Sequence, residues 1–125
     1  MTAPATSVNP NMTVKRGDSA HTIFMSFALL NRLTRHLGNL DELPLLSINP
    51  ELQETIILEV FTVRDKSGNP TDVPSNLEEI DVSLDDMDKV LNFVGDHIAN
   101  FFTRSAENAA KRMKKIHEKV TALSN

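Results

Sequence analysis

The chain has 125 residues, 40% of them hydrophobic and 24% charged, with four Gly, six Pro and a net charge of -4. That balance predicts one globular domain and excludes disordered, collagen-like and disulfide-stapled classes. The absence of Cys removes disulfides, thiolate nucleophiles and Cys-ligated zinc, and the acidic excess argues against phosphate binding by the whole surface.

Residues 1–11 are rich in Pro, Ser, Thr, Ala and Asn without periodicity, which predicts a flexible arm. The same stretch has no positive n-region and no apolar h-region, and no later segment approaches the ~20 apolar residues of a membrane span. The expectation is a cytosolic protein with no membrane contact. In "MTVKRGDSAHTIFM", Met12–Lys15 and Thr22–Met25 flank Gly17-Asp18, the pattern of a β-hairpin with Gly supplying the turn. In "SFALLNRLTRHLGN", Phe27, Leu30, Leu33 and Leu37 recur at helical spacing, with Ser26 as the cap and Gly38 as the left-handed stop. Asn49 and Pro50 then predict a second helix to about Thr62, apolar over a wide arc through Leu52, Ile56, Ile57, Val60 and Phe61.

"RDKSGNPTDVPSN" is dense in turn formers and predicts a loop. It is not a calcium loop, because Pro70 stands where that motif needs Gly and no Glu closes the twelfth position. "VSLDDMD" opens the last helix: Ser83 caps it, Asp86 is placed to return the hydrogen bond, and Val82 with Met87 form a staple.

From Met87 a stripe runs through Leu91, Val94, Ile98, Phe101, Ser105, Ala109, Met113, Ile116 and Val120 to Leu123 at the period of a straight α-helix. Unbroken, that helix reaches roughly 58 Å, whereas a compact chain of this size is about 35 Å across. Either it breaks near Ser105 or its last third projects. Phe101 and Phe102 lie about 100° apart around it, so one is expected to face the core and the other to broaden that face or stand exposed. Phe102, Met113, Ile116 and Val120 are the candidate partner-binding residues. The architecture expected is mainly α: a small N-terminal β-hairpin and three to four helices, the last one long, divided into an arm (1–11), a helical domain (12–104) and a helical extension (105–125).

No catalytic, metal or cofactor site is expected. The four His are scattered without ligand spacing, Asp85, Asp86 and Asp88 suit a helix start, and no phosphate loop or nucleophile elbow occurs. The basic run Lys111–Lys119 reads as the solvated face of an amphipathic helix, with Glu107 and Lys111 at i,i+4 and cations toward the negative end of the dipole. It lacks the interleaved aromatics or reading motif of a nucleic-acid binder, and an acidic protein partner is the other alternative to a solvated face.

Taken in order, "TVKRGDSAHTIFMSFALLNRLTRHLG", "INPELQETIILEVFTVRDKSGNP" and "DVSLDDMDKVLNFVGDHIANFF" resemble the small tail assembly chaperones of long-tailed bacteriophages over residues 12–104. The resemblance lies in the order and spacing of a hairpin, an "LLN" helix, a "PEL" helix, an "RD" turn and a Ser-capped helix ending in "FF". It implies a non-catalytic protein of the infected host's cytoplasm. Its partner would be the tape measure protein, held soluble until tail tube protein polymerises around it. The oligomeric state stays open, a homo-oligomer included. Two other classes compete: a structural virion protein such as a tail completion or connector subunit, and a small DNA-associated regulatory protein using the basic tail.

Overall fold

The structure, a computed structural model, describes residues 9–123. β1 (Asn11–Arg16) pairs antiparallel with β2 (Ser19–Phe24), with Arg16 opposite Ser19 across the two-residue turn Gly17-Asp18. Gly17 has φ +60 and Asp18 does not leave the negative side, which suits the hairpin turn that takes Gly at its first central position. Alternation puts Val14 and Ile23 inward on one face. Two residues of the expected arm 1–11 are ordered by the fold: Asn11 belongs to β1, and the Pro10 carbonyl accepts the Met25 N–H at 2.7 Å. Residues 1–8 of that arm lie outside the described residues.

α1 (Phe27–Arg35) starts where Ser26 Oγ accepts the Leu29 N–H at 3.1 Å, and Gly38 follows it at φ +73. Its buried line is Leu29, Leu33 and Leu37, with Leu30 half-buried. Phe27, expected on the inward stripe, is instead 72% exposed. It sits in the first turn, where the Phe101 ring meets it edge-on, ring centroids 6.4 Å apart. "LDELPLLS" forms a 3₁₀ segment, Leu40–Ser47, that no periodicity announced. It is tied to the next helix by Gln53 Nε2, which donates to the Leu46 carbonyl at 2.8 Å.

α2 (Pro50–Val60) has Asn49 Oδ1 accepting from the N–H groups of Glu51 and Leu52, with Pro50 at the first position where its missing donor is harmless. Ile56, Ile57, Val60 and the capping Phe61 are buried, and Leu52 is half-buried. The segment read as a loop contains a short ribbon, β3 (Val63–Arg64) with β4 (Pro70–Asp72). Its turn is closed by Asp65, whose Oδ1 accepts the Ser67 and Asn69 N–H groups at 2.9 and 3.0 Å, with Gly68 at φ +86. A carboxylate engaged that way supports a turn. Glu59 joins α1 to this ribbon, 3.3 Å from both Arg32 Nε and Arg64 Nη2.

α3 (Leu84–Leu123) is one helix of 40 residues. Ser83 Oγ accepts the Asp86 N–H at 3.2 Å, but the carboxylate does not complete a capping box. It turns to the hairpin, where Asp86 Oδ2 accepts from the Lys15 N–H at 3.4 Å, and to Lys89, 3.8 Å away. Val82 and Met87, the expected staple, are both half-buried against the core. That core is a single cluster of hairpin, α1, 3₁₀, α2 and α3 side chains, with Phe61, Leu33, Leu37, Ile56, Val90, Val94 and Ile98 fully enclosed.

His21 stacks on the buried Phe61 ring, centroids 5.0 Å apart, and the Arg16 guanidinium lies 5.8 Å from the centre of the same ring. Burial, and then the Arg16 charge, hold the His21 imidazole below its ordinary value of 6.5, against an opposing pull from Asp72. Protonation is therefore harder in the folded chain than in the unfolded one. The stability this group contributes is complete above about pH 6.5 and is lost as the pH falls through its lower folded value. The urea midpoint should drop over that window, and His21→Gln should flatten the drop.

Candidate functional site

α3 has two halves of different character. In the first, Val90, Val94, His97 and Ile98 are buried and face the 3₁₀ segment, α1 and β1. His97 is fixed on both sides. Its Nε2 is 2.9 Å from the Asn9 carbonyl, and because a carbonyl only accepts, Nε2 carries the proton and donates. The Phe93 ring meets it edge-on at 4.6 Å. In the second half every residue from Thr103 to Leu123 is exposed.

The helix does not break at Ser105, because nothing in the sequence stops it. After Gly95 there is neither Gly nor Pro, and 103–123 is rich in Ala, Lys, Arg, Glu and Met, the strong helix formers. A segment of this length is marginal in isolation, but here the buried half supplies the nucleus and the rest only propagates it. Thr103 and Thr121 bond back to the carbonyls of Ala99 and His117, each at 2.9 Å.

Of the predicted partner-binding residues, Met113, Ile116 and Val120 are exposed by 65, 55 and 54% and continue the line of the buried Val94 and Ile98 along one side of the helix. Phe102 differs: it is half-buried against the core, with the Phe101 ring 5.8 Å away. Neither Phe is fully enclosed or fully free, so the pair marks where the core face passes into the exposed seam. Leu123 prolongs the seam. The structure thus brings Met113, Ile116 and Val120 together and leaves Phe102 at their root.

Charge divides at the same place. Residues 103–123 hold six Lys and Arg against two Glu, a net +4, while the remaining seven Lys and Arg and fifteen Asp and Glu give -8. The cations are not explained by the helix dipole, since the last turn of α3 contains no basic residue and that effect fades beyond one turn. Arg112, Lys115 and Lys119 lie along one flank of the seam, and Ala106 and Ala110 along the other, when residues are placed at 100° intervals.

Clefts adjoin both the enclosed half of α3 and the root of its projecting half. One, of about 450 Å³ at the root of the projecting half, is lined by Phe27, Leu30, His97, Phe101 and Arg104 among others. The other, of about 640 Å³, runs between α3 and the 3₁₀ segment, with Leu43, Leu46 and Leu91 apolar, Asp88 and Asp96 acidic, and Gly95 beside them. Among the described residues no group of three or more His, Cys, Asp or Glu is placed to hold a metal ion, and no helix is long and apolar enough to cross a membrane. No protein-family model, curated protein or solved structure matches the chain.

Two isoleucines on one helix separate core from seam. Ile98→Ala should cost about 3 kcal/mol in urea unfolding, whereas Ile116→Ala should stay within about 0.5 kcal/mol. Gly95 offers a second test. A Cβ there would meet only Leu46 Cδ2, at 4.0 Å, so Gly95→Ala should stabilise the chain by about 0.5–1 kcal/mol.

Proposed function

We propose that this protein is a non-catalytic tail assembly chaperone of a long-tailed bacteriophage, which binds the tape measure protein and keeps it soluble in the host cytoplasm until tail tube protein assembles around it. The observation that carries the reading is the projecting half of α3, whose apolar seam is in line with the core yet lies outside it. A tape measure protein is a long helical chain with apolar stripes that aggregate when left in water. A straight helix bearing Met113, Ile116 and Val120 on one side can take such a stripe by helix-to-helix packing. Met suits a partner of varied sequence because its unbranched thioether adapts to uneven surfaces.

The order of elements in residues 12–104 supports the same reading through its resemblance to that chaperone family. A structural virion subunit would need the seam permanently covered within the particle, and a DNA-associated regulator would use the cations and leave the seam idle. The chaperone reading uses both, the seam for packing and the cations for partner approach and solubility.

Co-expression with the tape measure protein of the same phage tests the proposal. The wild type should raise the soluble fraction of that protein and co-purify with it, and should be absent from finished particles. Met113→Glu/Ile116→Glu should abolish capture while the melting temperature stays within about 2 °C of wild type. A large fall in melting temperature would make these residues part of the core, and unchanged capture would dismiss the seam as the binding surface.

A further inference from the structure

We propose that the acid-rimmed cleft beside α3 is a docking site for the projecting helix of a second copy of this chain. The cleft follows α3 from Asp88 to Asp96, a little over two turns or about 12 Å. The seam from Met113 to Val120 covers just under two turns, about 10.5 Å, on the projecting half. Their chemistry is complementary. The cleft has an apolar wall of Leu43, Leu46 and Leu91 and two exposed carboxylates, Asp88 and Asp96. The seam has apolar side chains flanked by Arg112, Lys115 and Lys119, all exposed. The net charges, +4 on residues 103–123 and -8 on the rest, have opposite sign, so encounter between unlike halves of two copies is favoured and encounter between like halves is not.

Gly95 is the second observation. Glycine weakens a helix interior relative to alanine, and packing within the protomer does not demand it, because the nearest side-chain atom to an added Cβ would be 4.0 Å away. Its bare backbone does keep the cleft open to close approach by a helix. The projecting half cannot fold back into its own cleft, since both lie on one unbroken α-helix. The occupant must come from another molecule. Unlike surfaces meet, so the contact is heterologous and can repeat from copy to copy.

Such docking would cover the seam before a client arrives and compete with the client for Met113 and Ile116. The inference itself stands on the cleft and the seam, independent of what the client is. Sedimentation velocity on the full chain tests it. At low salt the mass should rise above that of a monomer with increasing concentration, and added salt should reverse the rise. Asp88→Lys/Asp96→Lys and Arg112→Glu/Lys115→Glu/Lys119→Glu should each remain monomeric with unchanged helical circular dichroism. Mixed in equal amounts, the two should associate again, because each reversed surface then finds a match. A wild type that stays monomeric at low salt up to near-millimolar concentration, association undisturbed by the cleft substitutions, or a mixture that remains monomeric would overturn the inference. The cleft variant retains the seam, so its capture of the tape measure protein reads the functional proposal separately.

Discussion

The molecule depends on a mismatch of lengths. α3 has 40 residues, about 60 Å at 1.5 Å per residue, and is held by its first half in a globule that cannot be much more than about 35 Å across. Val90, Val94 and Ile98 are fully enclosed on the core side, and the bond from His97 to the Asn9 carbonyl ties the beginning of the described chain to the same stretch. With the lower half clamped, the direction of the upper half is set. A rigid rod with no helix breaker after Gly95 has to leave the globule, and it takes its apolar line with it.

An exposed apolar line is a liability in water, and the flanking charges limit it. Cations along one flank of the seam are long side chains whose stems can lie over neighbouring apolar surface while the charges stay hydrated. They also give like halves of two copies a reason to repel. Exposed methionine and isoleucine interleaved with lysine therefore leave an apolar line accessible without general stickiness. The absence of a basic residue from the last turn removes the dipole as their explanation and leaves hydration of the exposed helix and repulsion between like halves.

Much of this was legible in the sequence because it is local. The hairpin turn at Gly17, the side-chain caps at Ser26, Asn49 and Ser83, proline at the first position of α2 and the 3.6-residue period of α3 each follow from neighbours within one or two turns, and all appear in the structure. What was not legible is decided by distant partners. Phe27 fits the apolar spacing of α1 as well as Leu29 does, but only the placement of the hairpin and α3 determines that Leu29 is covered and Phe27 is not. The reach from His97 to Asn9 spans 88 residues and leaves no periodic trace. Asp86 was expected to serve its own helix and is drawn instead to the Lys15 backbone, 71 residues away. The 3₁₀ segment Leu40–Ser47 has a leucine-rich sequence with Pro44 inside it. Its shape comes from packing on α3 rather than from any period of its own.

The same geometry limits how the projecting half can work. Residues 95 and 116 are joined by unbroken helix, about 32 Å apart along its axis, and packed interiors transmit displacement rather than absorb it. A helix docked at Met113 and Ile116 would therefore act as a load on a lever whose short arm is the enclosed Val90–Ile98 stretch. A flexible tail carrying the same side chains would lose conformational entropy with every residue it ordered on binding, whereas this one is helical before any contact and loses only side-chain freedom. Preorganisation of that kind raises affinity by lowering what any contact along the helix costs. That suits a surface made of methionine, isoleucine and valine on a rod, with no Trp or Tyr anywhere in the chain to build a deep anchoring pocket.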